Sequence, residues 1–303
     1  MNTPRVSVVI PTRGRPALVV RAVKSALEQT LADIEVVVVI DGYDPASTEA
    51  LRAINDSRVT VVSLSELVGG SEARNIGVRV SRGEFIAFLD DDDEWSATKL
   101  SRQLAIAKAS SAPFPIVTCR LIARRPNGDE LWPARQMRVD ESMSEYLLCR
   151  EASIRQGEGF IQTSTLLVPR SLLLMVPFTT GLPRHQDWDW LIRVSVHSGV
   201  AFLWIWEPLV IYHIGAASNS VSAGESLEAS LNWVNECCLV TPKARAYFYA
   251  TQVAVRCKTL STLRSVISNT FGYPRAQFIA LGLALIPRNL VYSLRRRGHF
   301  NHA

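Results

Sequence analysis

No Asp or Glu follows Glu236 in a chain of 303 residues, while ten Lys and Arg do. The first 236 positions hold the other 23 basic residues against 28 acidic ones. The formal net charge of +5 therefore hides an acidic body and a wholly cationic tail, and the two face different partners. Cysteine is sparse, with five residues, odd in number and without the spacing of zinc ligands. That excludes a disulfide framework and a zinc ribbon, and fits reduced thiols in a cytoplasmic protein. Internal repeats and low-complexity tracts are absent. Long hydrophobic runs are missing too. "MNTPRVSVVIPTRGRP" is cut by Pro11 and by charges, so no signal peptide is expected there. "AQFIALGLALIPRNLVYSLRRRGHF" is interrupted at Pro287, Arg288 and Asn289, and its apolar part is too short to span a bilayer.

What remains is a composition of 48% hydrophobic and 20% charged residues, suited to one large domain or a domain with an appendage. The first half alternates strands and helices. "VSVVIP", "IEVVVVIDG", "RVTVVSL" and "EFIAFLD" read as strands, the second too continuously apolar to face solvent on either side. Pro16 opens a helix with Val19, Val20, Val23, Ala26 and Leu27 at helical spacing, and "EARNIGVRVS" reads as another helix. This order implies a mainly parallel sheet covered by helices, whose ligands bind beyond the carboxyl ends of the strands. Sequence order places "PTRGRP", "DGYD" and "DDDDEW" at that edge. A helix is expected over Ser96–Ser110 and strands at "IVTCRLIA" and "TSTLLV". A further helix starts near Asp187 and ends at Gly199, and "AFLWIWEPLVIYH" reads as two short strands broken at Pro208. "GAASNSVSAGES" reads as a mobile loop.

The run Asp90–Asp93 decides the chemistry. Four adjacent carboxylates repel one another, and sharing a divalent cation removes that repulsion. Oxygen-only ligands select magnesium, manganese or calcium rather than zinc. Magnesium and manganese commonly use one or two carboxylates with substrate phosphates, so a metal–diphosphate site is expected. If the strand persists, Asp90 and Asp92 point to one face and Asp91 and Asp93 to the other.

The ordered set "VVIPTRGRP", "VVVVIDG", "GGSEARNIGVRVSRGEFIAFLDDDDEW", "KLSRQL" and "HQDWDWLIR" resembles a family 2 inverting glycosyltransferase of the GT-A fold. The resemblance covers roughly residues 5 to 215, and the "ARN-G…GE-IAFLDDDD-W" block is its most specific part. It implies that Pro11, Thr12 and Asp41 hold the base and ribose of a nucleotide, with Arg13 and Arg15 near its phosphates. Arg74, in Ala73-Arg74-Asn75, would lie beside the nucleotide. The family's Asp-x-Asp maps onto Asp90 and Asp92, ribose and metal respectively, with Asp91 and Asp93 open because the register of the run is uncertain by one. The family's Glu-Asp pair maps onto Gln186 and Asp187. Gln stands where Glu is usual, and Asp187 is the implied base that takes the proton of the acceptor hydroxyl. His213 would touch the metal or the diphosphate, and His185 is a weaker acceptor-side candidate. Asp189 and Trp95 read as structural.

The implied division is a GT-A catalytic domain over 1–225, its nucleotide-sugar half reaching about 110, and a basic helical region over 226–303. The implied cofactor is manganese or magnesium. The implied partners are a nucleotide-sugar donor, a UDP-sugar, and a polysaccharide or lipid-linked acceptor. The basic tail fits an in-plane segment on a membrane surface or a hairpin packed on the protein, and the acidic edge argues against nucleic acid. The expected place is the cytoplasm or the inner face of the membrane. A nucleotidyltransferase or metal phosphohydrolase would use the same aspartates but leaves "HQDWDW" without a purpose. A degenerate, non-catalytic module has only Gln186 in its favour.

Overall fold

β-branched runs form the strands that are buried on both faces, and their polar second residues, Ser7 and Glu35, satisfy each other through a hydrogen bond of 2.6 Å. β1 (Val6–Thr12) and β2 (Ile34–Ile40) carry Val and Ile almost throughout, and every residue of β2 is buried. The structure, a computed structural model, describes residues 3–150, 157–214, 227–256 and 260–285. α1 (Pro16–Leu27) joins the first two strands and starts at Pro16, whose missing N–H falls where no helical acceptor exists. α2 (Pro45–Arg52) is capped by the Asp44 carboxylate, which accepts from the Ser47 amide at 3.0 Å. β3 (Val59–Ser63), α3 (Gly70–Val80) and β4 (Phe85–Phe88) complete the first half.

β1, β2, β3 and β4 are parallel and stand in the order β3-β2-β1-β4. The order reverses between β1 and β4, so a crevice opens beyond their carboxyl ends. Thr12 ends β1, and the aspartate run follows β4. The sheet continues through β8 (Leu167–Pro169), β6 (Phe114–Arg125), β9 (Val200–His213) and the two-residue β5 (Glu94–Trp95), with β7 (Gly128–Trp132) beside β6. β8 is antiparallel to β4 and β6, and β6 is parallel to β9, so the sheet is mixed but mostly parallel. α4 (Lys99–Ala109), α6 (Arg170–Met175) and α7 (Gln186–Ser195) belong to the same part of the chain.

The chain divides into two compact units. One holds the sheet with α1–α4, α6 and α7. The other combines Pro133–Phe160, which carries α5 (Met143–Leu148), with the helices after Ser220. These are α8 (Leu227–Glu236), α9 (Pro242–Phe248), α10 (Leu260–Thr270) and α11 (Pro274–Leu285). The basic region is helical as far as it is described. The expected mobile loop over 215–226, and the tail with Pro287–Asn289 and its arginine cluster, lie outside the described residues.

Three local expectations change. β9 is one strand of 14 residues, not two broken at Pro208. Its register on β6 shifts at Cys119/Arg120 and Arg120/Leu121, and Pro208 stands opposite Arg120 at that irregularity. A bulge is where a strand accommodates a residue without an N–H. "TSTLLV" is a strand only from Leu167, because Thr163–Thr165 form a 3-10 turn. The strand before the aspartates ends at Phe88, so the four carboxylates do not alternate in direction.

α3 packs on the sheet through Gly77, where a Cβ would overlap Val9 Cγ1 and meet Val39 Cγ2 at 3.4 Å. Gly77→Ala gains helix propensity but overpacks this contact. It is expected to lower stability by roughly 1–3 kcal/mol, read from the midpoint of urea unfolding.

Candidate active site

The aspartate run is a turn, closed by a hydrogen bond from the Asp93 amide to the Asp90 carbonyl at 3.0 Å. Turn geometry sorts the carboxylates into two pairs. Asp91 and Asp92 share Arg15, whose Nη1 lies 3.0 Å from Asp91 Oδ1 and 3.1 Å from Asp92 Oδ2. Asp90 and Asp93 share Gln162, whose Nε2 donates to Asp90 Oδ2 at 2.9 Å and to Asp93 Oδ2 at 2.7 Å. Thr12 Oγ1 donates to Asp91 Oδ2 at 2.7 Å, across the switch point between β1 and β4. Ser164 supports the turn from the other side. Its hydroxyl donates to Asp93 Oδ2 at 2.6 Å and accepts the Asp90 amide at 3.0 Å. Thr163 Oγ1 reaches Asp90 Oδ2 at 3.2 Å. Arg21, from α1, donates to the Asp92 carbonyl at 2.5 Å and lies 3.4 Å from Glu94. Trp95 is buried beneath the turn, with its indole N–H on the Ser164 carbonyl at 2.8 Å.

The remaining expected residues fall around this turn. Arg74 bridges two elements: Nη2 lies 2.6 Å from Asp90 Oδ1, and Nη1 donates to Gln186 Oε1 at 3.0 Å. Gln186 is the first residue of α7 and its Nε2 donates to the Leu182 carbonyl at 2.7 Å. Asp187 follows, partly buried, with Oδ1 accepting the Trp188 amide at 2.9 Å. His185, just before the helix, has φ of 60° and stacks on Trp188 at 4.8 Å. Left-handed backbone in a non-glycine residue is strain that the surroundings hold in place. Asn75 and Phe178 exchange side-chain and backbone hydrogen bonds, each at 2.9 Å. Phe178 in turn packs edge-on against Phe88 and stacks on Trp190. Asp189 is held by Thr179 and Arg193 and has the structural role expected of it.

Asp41 stands at the end of β2, and its carboxylate accepts from the amides of Val68 and Gly69 at 2.7 and 3.0 Å. It lines a pocket of about 330 Å3 with Arg13, Gly14, Tyr43, Asp44 and Leu67. The Asp44 carboxylate also accepts from the Gly14 amide at 2.8 Å, joining the loops that follow β1 and β2. Pro11 and Thr12 lie at the end of β1. His213 ends β9, and its Nε2 lies 2.8 Å from Glu94 Oε1. Its backbone amide lies 3.4 Å from Asp93 Oδ1.

The family model described as "Glycosyl transferase family 2" matches residues 7–172, more than half of the chain. The chain belongs to glycosyl transferase family 2. Among its relatives is the amylovoran biosynthesis glycosyltransferase AmsB of Erwinia amylovora, 29% identical over 238 residues, 76% of each chain. WfaP of Escherichia coli, a UDP-Glc:alpha-D-GlcNAc-diphosphoundecaprenol beta-1,3-glucosyltransferase, is 33% identical over 109 residues. These are 36% of this chain and 43% of that one. Among solved structures, S. aureus TarS 1-349 in complex with UDP-GlcNAc aligns with a TM-score of 0.64 at 15% identity. It covers 98% of this chain and 93% of the other. The mannosyltransferase PcManGT of Pyrobaculum calidifontis, in complex with GDP-Man and Mn2+, aligns with a TM-score of 0.54 at 17% identity over 97% and 79%. The fold of this glycosyltransferase is of GT-A type.

Burial and mutual repulsion set the electrostatics of the candidate site. Loss of hydration, followed by the charges of Asp90 and Asp91, raises Asp92 to about 6 against the pull of Arg15. Burial also raises Asp91, and it pushes Asp93 well above the carboxylate range with Asp90 and Asp92 adding to it. Asp187 is raised to about 6, mainly by loss of hydration, while the Trp188 amide and Arg74 oppose the shift.

Among the described residues, no group of three His, Cys, Asp or Glu side chains is arranged to hold an ion. His213 is engaged by Glu94, so the expected pairing of Asp92 with His213 is not preformed. Asp92 nonetheless fits one side of a magnesium or manganese shell completed by substrate oxygens. Its donors are oxygens, its side chain is 27% exposed against 8% for Asp91, and a cation would offset its two anionic neighbours.

Gln162, Thr163, Ser164 and Arg21 escaped the sequence reading. The one signal for the first three is a polar cluster, "QTST", directly before the apolar "LLV". Gln162→Leu removes the donor shared by Asp90 and Asp93. It is expected to lower the melting temperature, at a cost of roughly 1–3 kcal/mol for the carboxylate oxygens left without it.

Proposed function

We propose that the chain transfers a sugar from a nucleotide-diphosphate sugar to an acceptor hydroxyl with inversion, and that Asp187 is the base. The observation that carries this is the Arg74 bridge. One guanidinium ties the donor-side turn, at Asp90, to the first turn of the helix that presents Asp187. A carboxylate raised to about 6 is ionised at neutral pH and still basic enough to accept a proton in the transition state. Asp187 takes the proton from the acceptor hydroxyl as that oxygen attacks the anomeric carbon and the nucleotide diphosphate departs. Gln186 holds Arg74 in place without adding a second anion beside the base. The pocket at Asp41 and Tyr43 takes the base and ribose, together with Pro11 and Thr12 at the end of β1, and Arg13 and Arg15 serve the phosphates. A divalent ion, manganese or magnesium, would be held by Asp92 and offsets charge on the leaving diphosphate when bound.

A UDP-sugar is the preferred donor. WfaP is a UDP-Glc-dependent glucosyltransferase by name, and the aligned TarS complex carries UDP-GlcNAc. The names of AmsB and WfaP support a polysaccharide or a diphosphoundecaprenol-linked acceptor. A lipid-linked acceptor would draw the enzyme to the inner face of a membrane.

Asp187→Asn is expected to lower turnover of a UDP-sugar by roughly 10^2- to 10^4-fold while nucleotide binding by calorimetry is retained. Unchanged turnover removes the base assignment. In the wild type the ionised form of Asp187 is the active one. kcat/KM should therefore rise with pH and reach half its plateau near pH 6, the value to which burial raises this group. An acid limb that stays below pH 5 would count against it. Asp92→Asn is expected to abolish the part of UDP binding that manganese adds, and leave the metal-free part in place. Equal manganese dependence in both proteins defeats the metal assignment.

A further inference from the structure

The helices after α9 are apolar on more than the face they bury. In α10 and α11, Val266, Thr270, Ala276, Ile279, Ala280 and Leu283 are buried. Outside them stand Phe271 at 79% and Phe278 at 78% exposure, with Leu281 and Ile267 also exposed. Ile267 and Phe271 are four residues apart, and Phe278 and Leu281 three apart, so each pair shares one side of its helix or helix end. Phe271 lies in the three-residue connection between α10 and α11, and Phe278 is one turn into α11, so both sit near the tip of one helical hairpin. Arg264 and Arg275 are exposed on the same hairpin. It carries no carboxylate, because none follows Glu236 in the whole chain.

No described helix is long and apolar enough to cross a membrane. The 12 residues of α11 extend only about 18 Å, short of a hydrocarbon core of about 30 Å. Surface aromatics beside arginines, without acidic residues, match an interface that is apolar below and anionic above. A second copy of the hairpin would set cation against cation. A nucleic acid has no use for the aliphatic Ile267 and Leu281.

We infer that the α10–α11 hairpin docks on an anionic membrane face. Phe271, Phe278, Ile267 and Leu281 enter the boundary between headgroups and acyl chains, and Arg264 and Arg275 meet the lipid phosphates. The inference deepens the proposed lipid-linked acceptor reading but stands on this surface alone. Transfer to a water-soluble acceptor tests the catalytic reading, and vesicle binding tests this one.

The experiment is co-sedimentation of the full chain with phosphatidylcholine vesicles, with and without phosphatidylglycerol. The wild type is expected to bind the anionic vesicles, and less so as salt rises. F271S/F278S should weaken binding roughly 10- to 100-fold, and R264Q/R275Q roughly tenfold. Failure of the wild type to sediment overturns the inference, as does equal sedimentation of F271S/F278S. If F271S/F278S loses its cooperative melt, R264Q/R275Q carries the test, and its equal sedimentation overturns the inference. Light scattering that shows F271S/F278S dissolving a dimer, with vesicle binding unchanged, makes the face a subunit interface and also overturns it.

Discussion

Four like charges in consecutive positions are the constraint around which the candidate site is arranged. Isolated, the run would favour an extended, solvated loop. In the fold it is a tight turn because donors arrive from four directions: Thr12 from β1, Arg15 from the start of α1, Arg74 from α3, and Gln162 with Ser164 from the segment before β8. Each lies on a different element, so the turn also holds those elements in register. A buried charge is tolerated only when it is paired or hydrogen-bonded. Even so, burial keeps Asp91, Asp92 and Asp93 above their ordinary range. The turn is folded but still short of positive charge, a deficit that the proposed cation would relieve.

Arg74 and Phe178 carry that arrangement to α7. Arg74 touches Asp90 and Gln186, and its guanidinium carbon lies 5.9 Å from the centroid of the Phe178 ring. Phe178 packs on Phe88 at the end of β4 and on Trp190 in α7. Polar and apolar contacts thus run together from the turn to the helix that bears Asp187. Asn75, one residue from Arg74, fixes Phe178 through its backbone. The "ARN" segment is therefore one polar bridge and one structural clamp.

Much of this was legible in the sequence, for identifiable reasons. Strands buried on both faces are almost continuously apolar, so β1, β2 and β4 stand out and bring Thr12, Asp41 and the aspartate run to one edge. Gln162 and Ser164 were not legible, since their bonds to Asp93 span 69 and 71 positions and long-range pairing leaves no periodic mark. β5, at two residues, is too short to show alternation. Turn geometry, not strand geometry, decides which carboxylates pair, and a run of identical residues carries no information about that choice. The grouping of Pro133–Phe160 with the C-terminal helices likewise depends on packing between distant segments.

The irregularity at Pro208 has a consequence for how this chain can vary. It splits the pairing of β9 with β6 into two registers. Arg120 packs on Trp206, and Arg102 pairs with Glu207, so the irregular stretch is pinned on both sides. The later half of β9, which pairs with β5 and ends at His213, keeps its alignment whatever happens before the shift. Insertions or altered residues at the start of β9 can accumulate there without moving the edge that carries the aspartate turn, as slack in a rope beyond a knot leaves the other end still.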